Sequence, residues 1–171
     1  MEQEKRKHRV CFTGHRPEKI NCSEKKIKAW LEMEICKSVS NGQNVFICGM
    51  ARGTDIWAAE VVLKVREEIQ NVKLICASPY PNFESRWSEE WKNRYQAIMK
   101  KADYIQFIHK KYCPSCFQDR NEWMVDHSSK VLAVYNGTSG GTRNTLMYAK
   151  KRCIPITIYP NKEKNILDAS S

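Results

Sequence analysis

Six short apolar runs constrain the fold of this chain more than any other feature of its sequence. The run Val45-Phe46-Ile47-Cys48 is typical, because its apolar residues follow one another without alternating polar positions. Continuous runs of this kind indicate strands that are buried on both faces, as in a parallel sheet. We predict six strands, at residues 9–13, 45–48, 73–77, 104–108, 131–135 and 154–159.

Helical patterns fill the segments between the predicted strands. Ser23 can cap the first helix and Thr54 the second, because a side-chain oxygen at that position accepts a bond from a free backbone N–H group. Asp119 and Glu122 have the spacing of a capping box, which places the start of a later helix at Asp119. Strands and helices therefore alternate, and this order predicts an α/β domain with helices on both faces of a mostly parallel sheet.

The same pattern predicts a single domain over residues 8–160, since no linker interrupts it and 171 residues can bury a sizeable core. Residues 1–7 and 161–171 are polar termini that we expect to be loose. No apolar run approaches the roughly 20 residues of a membrane helix, and the first run is too short for a signal peptide. We therefore expect a cytoplasmic protein with reduced thiols and no membrane partner.

Loops that contain glycine follow three of the predicted strands. They are "TGHRP" after the first strand, "GMARGTD" after the second and "NGTSGGT" after the fifth. The carboxyl ends of parallel strands meet at one edge of the sheet, where ligands of such folds bind. Glycine lets a ligand approach the backbone, and a helix N-terminus offers free N–H groups to an anion. The loops therefore predict a phosphate-binding crevice, to which Arg16 or Arg52 could add a charged hydrogen bond.

The loop that contains Arg52 follows neither of the standard nucleotide-binding patterns. No loop matches the dinucleotide fingerprint or the P-loop pattern. Arg52 lies between Gly49 and Gly53, where the backbone can bend around a bound group. We predict that Arg52 contacts the anionic part of the ligand.

These loops, together with "RN" followed by "MVDHS", resemble the motifs of the YpsA-like family of the SLOG superfamily, named for the Smf/DprA proteins and the LOG nucleotide hydrolases. The resemblance spans about residues 8–159 and implies a Rossmann-like, three-layer fold with about six strands. It also implies that the crevice binds a nucleotide or a nucleotide-derived, ADP-ribose-like ligand. The residues that would bind this ligand are Gly14, His15, Arg16, Gly49, Arg52, Gly53, Thr54, Asp55, Arg120, Asn121, Asp126, Gly140, Gly141 and Thr142.

Whether the protein is an enzyme stays open. The leading hypothesis is a sensor or regulator that binds the ligand without turnover. A hydrolase would need a carboxylate in the crevice, from Asp55, Asp126 or Glu122. LOG-type hydrolases resemble one another in a P-G-G-x-G-T-x-x-E pattern, but Thr145 stands here in place of the glutamate. A neutral hydroxyl cannot act as a carboxylate base, so LOG-type cleavage is not expected.

Nucleic acid is the alternative partner, second to the small molecule. The formal charge of the chain is +10, which permits attraction to nucleotides, nucleic acid or acidic surfaces without choosing among them. The resemblance to Smf/DprA proteins points in the same direction. We expect no further cofactor, and the sequence leaves open whether the protein forms a homo-oligomer.

A group of metal-ligating residue types follows the fourth predicted strand. Cys113-Pro114-Ser115-Cys116 has the spacing of a zinc knuckle, and His109 and His127 lie on either side of it. A second Cys-x-x-Cys pair is missing from the sequence. We therefore expect a plain loop and no metal site, with a redox pair as a further alternative.

Overall fold

A six-stranded sheet forms the centre of the protein. The computed structural model describes residues 1–160, so the predicted polar segment 161–171 lies outside the described residues. The strands are β1 (Arg9–Gly14), β2 (Val45–Cys48), β3 (Lys73–Ser78), β4 (Tyr104–Phe107), β5 (Lys130–Val134) and β6 (Ile156–Tyr159). Every strand pair is parallel, and the strand order is β4-β3-β2-β1-β5-β6. The prediction of a mostly parallel sheet of about six strands is confirmed.

Helices precede and connect the strands throughout residues 1–160. They are α1 (Glu2–Arg6), α2 (Glu24–Ser40), α3 (Thr54–Glu68), α4 (Glu89–Lys101), α5 (Cys116–Asp126) and α6 (Gly141–Lys151), with a 3-10 turn at Pro17–Lys19. The predicted polar terminus at residues 1–7 contains the short helix α1, none of whose residues is buried. Its acidic residues lie in the first turn and its basic residues in the last, which complements the helix dipole. None of these helices is both long and apolar enough to cross a bilayer.

Alternate residues of the buried strands face opposite helical layers. Val10 and Phe12 belong to an apolar cluster with α2, α3 and α4, whereas Cys11 belongs to a second cluster with α5 and α6. All three side chains are fully buried. This arrangement confirms the three-layer architecture, and it explains why the strands are apolar at every position rather than at every second one.

The strand order reverses beside β1, and this reversal places the site. The chain runs outward from β1 through β2 and β3 to β4 at one edge, and then returns to β5 on the other side of β1. The loops that leave the carboxyl ends of β1 and β5 therefore diverge. Ligands of open parallel sheets bind at such a point, because the diverging loops leave a crevice between them.

Two of the three predicted helix caps differ from the structure. Ser23 caps α2 as predicted, since its Oγ accepts a bond from the backbone N–H of Lys26 at 3.2 Å. Thr54 does not cap α3, because it is the first residue of that helix and Gly53 precedes it. The hydroxyl of Thr54 instead donates to the backbone oxygen of His15 at 3.1 Å, where the loops after β1 and β2 pack together.

Helix α5 begins three residues earlier than the capping-box pattern predicts. It starts at Cys116, so Asp119 lies within the helix rather than before it. The carboxylate of Asp119 faces backwards along the chain, where it accepts a bond from Ser115 Oγ at 2.8 Å and contacts His109 Nε2 at 2.7 Å. The predicted capping box is therefore wrong, and Asp119 belongs to a side-chain cluster at the start of α5.

Candidate functional site

A crevice of about 350 Å³ opens at the carboxyl edge of the sheet. The end of β1 and the loop after it form its floor, and the loops after β2 and β3 contribute the rest, together with residues of α3, α5 and α6. The lining residues are Thr13, Gly14, His15, Arg16, Lys19, Ala51, Asp55, Phe83, Phe117, Arg120, Asn121, Gly141 and Thr142.

The loops after β1 and β2 pack so closely that glycine is required in both. A Cβ at Gly14 would lie 2.4 Å from the side chain of Thr54. Gly53 has a φ of +84°, and a Cβ there would lie 2.8 Å from the backbone oxygen of His15. Two glycines of "TGHRP" and "GMARGTD" therefore hold the loops together and keep the floor of the crevice in place.

His15 is held as a neutral ring at the edge of the crevice. Its Nε2 accepts a bond from the backbone N–H of Asn136 at 3.1 Å, so the proton of the neutral ring lies on Nδ1. Burial lowers the pKa of His15, and the positive charge of Lys19 acts in the same direction, although a side-chain hydrogen bond with Asn136 opposes them. The ring also packs against Tyr135, with 5.4 Å between the centroids. His15 therefore orients the loop and carries no charge at neutral pH.

Asp55 is a buried carboxylate in the wall of the crevice. Its Oδ2 accepts a bond from the backbone N–H of Ala51 at 3.1 Å, and its Oδ1 has no hydrogen-bond partner among residues 1–160. Burial raises the pKa of Asp55 to about 6, because the nearby charge of Arg120 and the bond from Ala51 oppose the desolvation only in part. At neutral pH the ionised carboxylate of Asp55 is destabilised by its burial, and it therefore lowers the free energy of unfolding.

Arg120 is a buried cation that joins α5 to the loop after β2. Its Nη1 donates to the backbone oxygen of Gly49, and its Nε donates to Asn121 Oδ1 at 2.8 Å. Burial lowers the pKa of Arg120, whereas the charge of Asp55 raises it. The guanidinium stays charged, because arginine is not deprotonated in proteins. Arg120 therefore partly neutralises Asp55 and fixes the start of α5 against the crevice.

Two cationic side chains line the crevice, and one of them lies beside the start of α6. Arg16 and Lys19 line the crevice, and Lys19 Nζ donates to the backbone oxygen of Ser139 at 3.4 Å. Helix α6 starts at Gly141 without a side-chain cap. The first N–H groups of a helix have no partner within it, and the helix dipole adds a partial positive charge there. This part of the crevice suits an anion such as a phosphate group.

Two aromatic rings line the crevice as well. Phe83 comes from the loop after β3 and Phe117 from the first turn of α5, and their centroids are 5.6 Å apart. Tyr80 packs against both rings, at 5.6 Å and 6.4 Å. Aromatic faces of this kind can stack with a base. The crevice therefore combines an anion-binding part with an apolar aromatic part.

The structure brings eight of the fourteen predicted ligand-binding residues to the crevice, and the other six lie behind or away from it. The eight that line it are Gly14, His15, Arg16, Asp55, Arg120, Asn121, Gly141 and Thr142. Four of the other six residues pack behind the lining residues, in the loops and at the start of α6. They are Gly49, Gly53, Thr54 and Gly140.

Arg52 and Asp126 are placed elsewhere. Arg52 Nη1 forms an ion pair with Glu18 Oε1 at 2.6 Å on the outer side of the loops. Asp126 is the last residue of α5, where it accepts bonds from the hydroxyl of Tyr148 at 2.9 and 3.0 Å and pairs with Arg152 at 3.2 Å. Neither residue lines the crevice.

Sequence reasoning missed five lining residues, which are Thr13, Lys19, Ala51, Phe83 and Phe117. Lys19 lies three residues after Arg16, in a 3-10 turn that returns it to the crevice. Its nearness to "TGHRP" is the one signal that could have identified it. Phe83 lies in the loop after the third predicted strand, but nothing in the sequence distinguishes it from neighbouring aromatic residues.

Thr145 occupies the position at which LOG-type hydrolases carry a glutamate. It is fully buried, and its hydroxyl donates to the backbone oxygen of Gly141 at 2.9 Å, within α6. Thr145 therefore supplies no acid or base to the crevice.

Comparison with known proteins gives matches at the levels of family, sequence and fold. A family model described as the YspA SLOG family, with the short name YpsA, matches residues 10–159. The SPbeta prophage-derived protein YoqJ of Bacillus subtilis (strain 168) is 36% identical over 118 residues, which cover 62% of this chain and 69% of YoqJ. A UPF0398 protein of Bacillus pumilus (strain SAFR-032) is 27% identical over 159 residues, covering 88% of this chain and 84% of the relative.

Two solved structures of DNA processing protein A (DprA) share the fold. The protein from Streptococcus pneumoniae superposes with a TM-score of 0.63 at 18% identity, and the match covers 95% of this chain but only 53% of DprA. The protein from Helicobacter pylori, whose structure is described for its single-stranded DNA binding mode, gives a TM-score of 0.66 at 19% identity, over 98% of this chain and 73% of that one. This chain thus spans about half the length of the pneumococcal protein, and the likeness concerns the fold.

Proposed function

The chain belongs to the YspA SLOG family, as its motifs predicted, and from that premise we propose that its crevice binds a nucleotide or a nucleotide-derived, ADP-ribose-like ligand. Such a protein would act as a sensor or regulator. The observation that carries the proposal is the pairing of two unlike surfaces in one crevice: the cationic start of α6 with Arg16 and Lys19, and the rings of Phe83 and Phe117. A phosphate and a base need these two surfaces.

The size and position of the crevice support the same proposal. A volume of about 350 Å³ lies within the range of small-molecule sites, which begins at roughly 300 Å³. The crevice also lies beside β1, where the strand order reverses, and this is where parallel α/β proteins bind ligands. The buried Asp55 adds a carboxylate that costs stability, and functional sites often retain such a cost.

Calorimetric titration with AMP, ADP and ADP-ribose tests the proposal. We expect Arg16→Ala and Lys19→Ala each to weaken binding roughly ten- to a hundredfold, because each removes a charge-assisted hydrogen bond to the anion. Arg66→Ala and Lys73→Ala are matched controls, since both residues pair with Asp103 at the opposite edge of the sheet. Binding to none of the three nucleotides, or equal losses in the controls, would contradict the proposal.

A second candidate function is binding of nucleic acid through the same face. Two observations favour it: the formal charge of +10, and the fold shared with a DprA whose structure is described for single-stranded DNA binding. Anisotropy of a labelled oligothymidylate at several salt concentrations tests it. Binding to a single strand should weaken linearly on a log–log plot, with a slope of about −0.7 per phosphate contact. A flat salt dependence, or no binding at low salt, would exclude this function.

The two candidates can be separated by competition. If the crevice holds a small nucleotide and the strand binds elsewhere, excess AMP should leave the anisotropy unchanged. If the strand occupies the crevice, AMP should displace it, and Arg16→Ala should weaken both ligands.

A further inference from the structure

We propose that His109, Cys113 and Asp119 form a binding site for a zinc ion at the start of α5. One donor atom from each side chain, the histidine nitrogen, the thiol sulfur and a carboxylate oxygen, lies within 4.8 Å of the other two. The site lies outside the residues that line the crevice, and the proposal does not rest on nucleotide binding.

The backbone holds the three side chains in place without a metal. The N–H group of His109 donates to the oxygen of Pro79 at 3.0 Å, which fixes the segment after β4 against the loop after β3. The N–H of Cys116 donates to the oxygen of Cys113 at 3.1 Å, so that Cys113 is tied to the first turn of α5. Asp119 lies one turn further along the same helix. A site whose ligands are positioned in advance loses less conformational entropy on binding.

The donor set selects the class of metal. Imidazole nitrogen, thiolate sulfur and carboxylate oxygen together suit zinc, whereas magnesium and calcium prefer oxygen ligands throughout. Three protein ligands leave one tetrahedral position for water, as in open zinc sites. The side chains of His109 and Asp119 are 35% and 37% exposed, so water can reach that position.

Binding requires that two of the ligand atoms move slightly apart. His109 Nε2 and Asp119 Oδ2 are 2.7 Å apart, which is a hydrogen-bond distance. Around a tetrahedral zinc with bonds of about 2.0–2.3 Å, the ligand atoms would be roughly 3.3–3.8 Å apart. Rotation of the two partly exposed side chains can supply the difference. Ser115 Oγ, which donates to Asp119 Oδ2 at 2.8 Å, would orient the carboxylate as an outer partner of the metal.

This ligand set differs from the one that the sequence suggested. Cys116 is fully buried in the first turn of α5, and His127 follows the last residue of that helix, where its Nδ1 contacts the backbone oxygen of Trp123 at 2.7 Å. Neither residue joins the cluster. Asp119, which sequence analysis treated as a helix cap, takes their place.

Zinc titration of the chelator-stripped full-length protein against a chromophoric competitor tests the site. We expect about one equivalent of zinc to bind per chain. Cys113→Ser and Asp119→Asn should each weaken binding by more than the roughly 10- to 100-fold loss typical of outer partners, and Ser115→Ala should fall within that range. Cys153→Ser is the matched control, because Cys153 is exposed and lies after α6.

Two measurements on the unaltered protein keep the test decisive if a variant fails to fold. Cobalt in place of zinc should give a thiolate-to-metal charge-transfer band, and zinc should protect Cys113 but not Cys153 from alkylation, as mapped by mass spectrometry. The proposal is overturned if no such band forms, if Cys113 is alkylated equally with and without zinc, or if Cys113→Ser retains the affinity of the wild type.

Discussion

Replacing Asp55 by asparagine should stabilise the protein at neutral pH. Burial raises the pKa of Asp55 to about 6 in the folded state, against 3.8 for the ordinary side chain. The folded protein therefore binds more protons than the unfolded chain between these two values, and its stability falls as the pH rises through this window. Asparagine has the shape of the protonated acid and carries no charge, so it avoids this cost.

The size of the effect follows from the two pKa values. A difference of about two pKa units corresponds to about 3 kcal/mol at pH 7.5, where both states are ionised. At pH 4.5 the unfolded chain is mostly ionised and the folded protein mostly protonated, and the cost is about 1 kcal/mol. The advantage of Asp55→Asn should therefore grow by about 2 kcal/mol between these two pH values.

Urea denaturation of both proteins at pH 4.5, 6.0 and 7.5 measures this difference directly. Asp103→Asn is the matched control. Burial raises the pKa of Asp103, but the hydrogen bonds from the Leu74 N–H and Arg66 outweigh this effect, so the pKa is lowered. Loss of the Asp103 carboxylate should therefore destabilise the protein. A constant difference between wild type and Asp55→Asn across the pH range would refute the reasoning. So would a loss of stability in Asp55→Asn at pH 7.5.

Three further predictions concern the loops and the chemistry. Gly14→Ala should destabilise the protein by about 1–3 kcal/mol in a denaturant melt, because the new Cβ would lie 2.4 Å from the side chain of Thr54. Gly141→Ala is the control and should cost far less, because the nearest atom to a Cβ at Gly141 is 4.0 Å away. Arg52→Ala should reduce nucleotide affinity less than tenfold in calorimetry, since the side chain is ion-paired outside the crevice. A larger loss would instead support the original prediction of a ligand contact. Incubation with AMP should release no adenine detectable by chromatography, because the buried hydroxyl of Thr145 cannot act as a carboxylate base. Robust turnover would contradict this expectation and would point to Asp55, the carboxylate that lines the crevice.

The sequence by itself determined the layers of the fold and the edge at which the crevice forms. Val45–Cys48 is predicted and observed over the same residues, because a strand buried on both faces must be apolar at every position. The glycine loops after β1 and β5 were also foreseen, since parallel strands end at one edge wherever they lie in the sheet. His15 and Arg16 line the crevice because they directly follow the end of β1, and Gly141 lines it because it begins the helix after the β5 loop.

Only the tertiary structure decided which side chains meet. Arg52 and Asp55 are three residues apart, yet Arg52 pairs with Glu18 outside the crevice, while Asp55 is buried beside Arg120, a residue more than sixty positions away. Asp119 meets His109 because α5 begins earlier than its capping pattern suggests. Such contacts depend on the direction of each side chain and on the angle at which helices and loops pack. Those quantities are set by the whole core, and a local pattern of residues does not contain them.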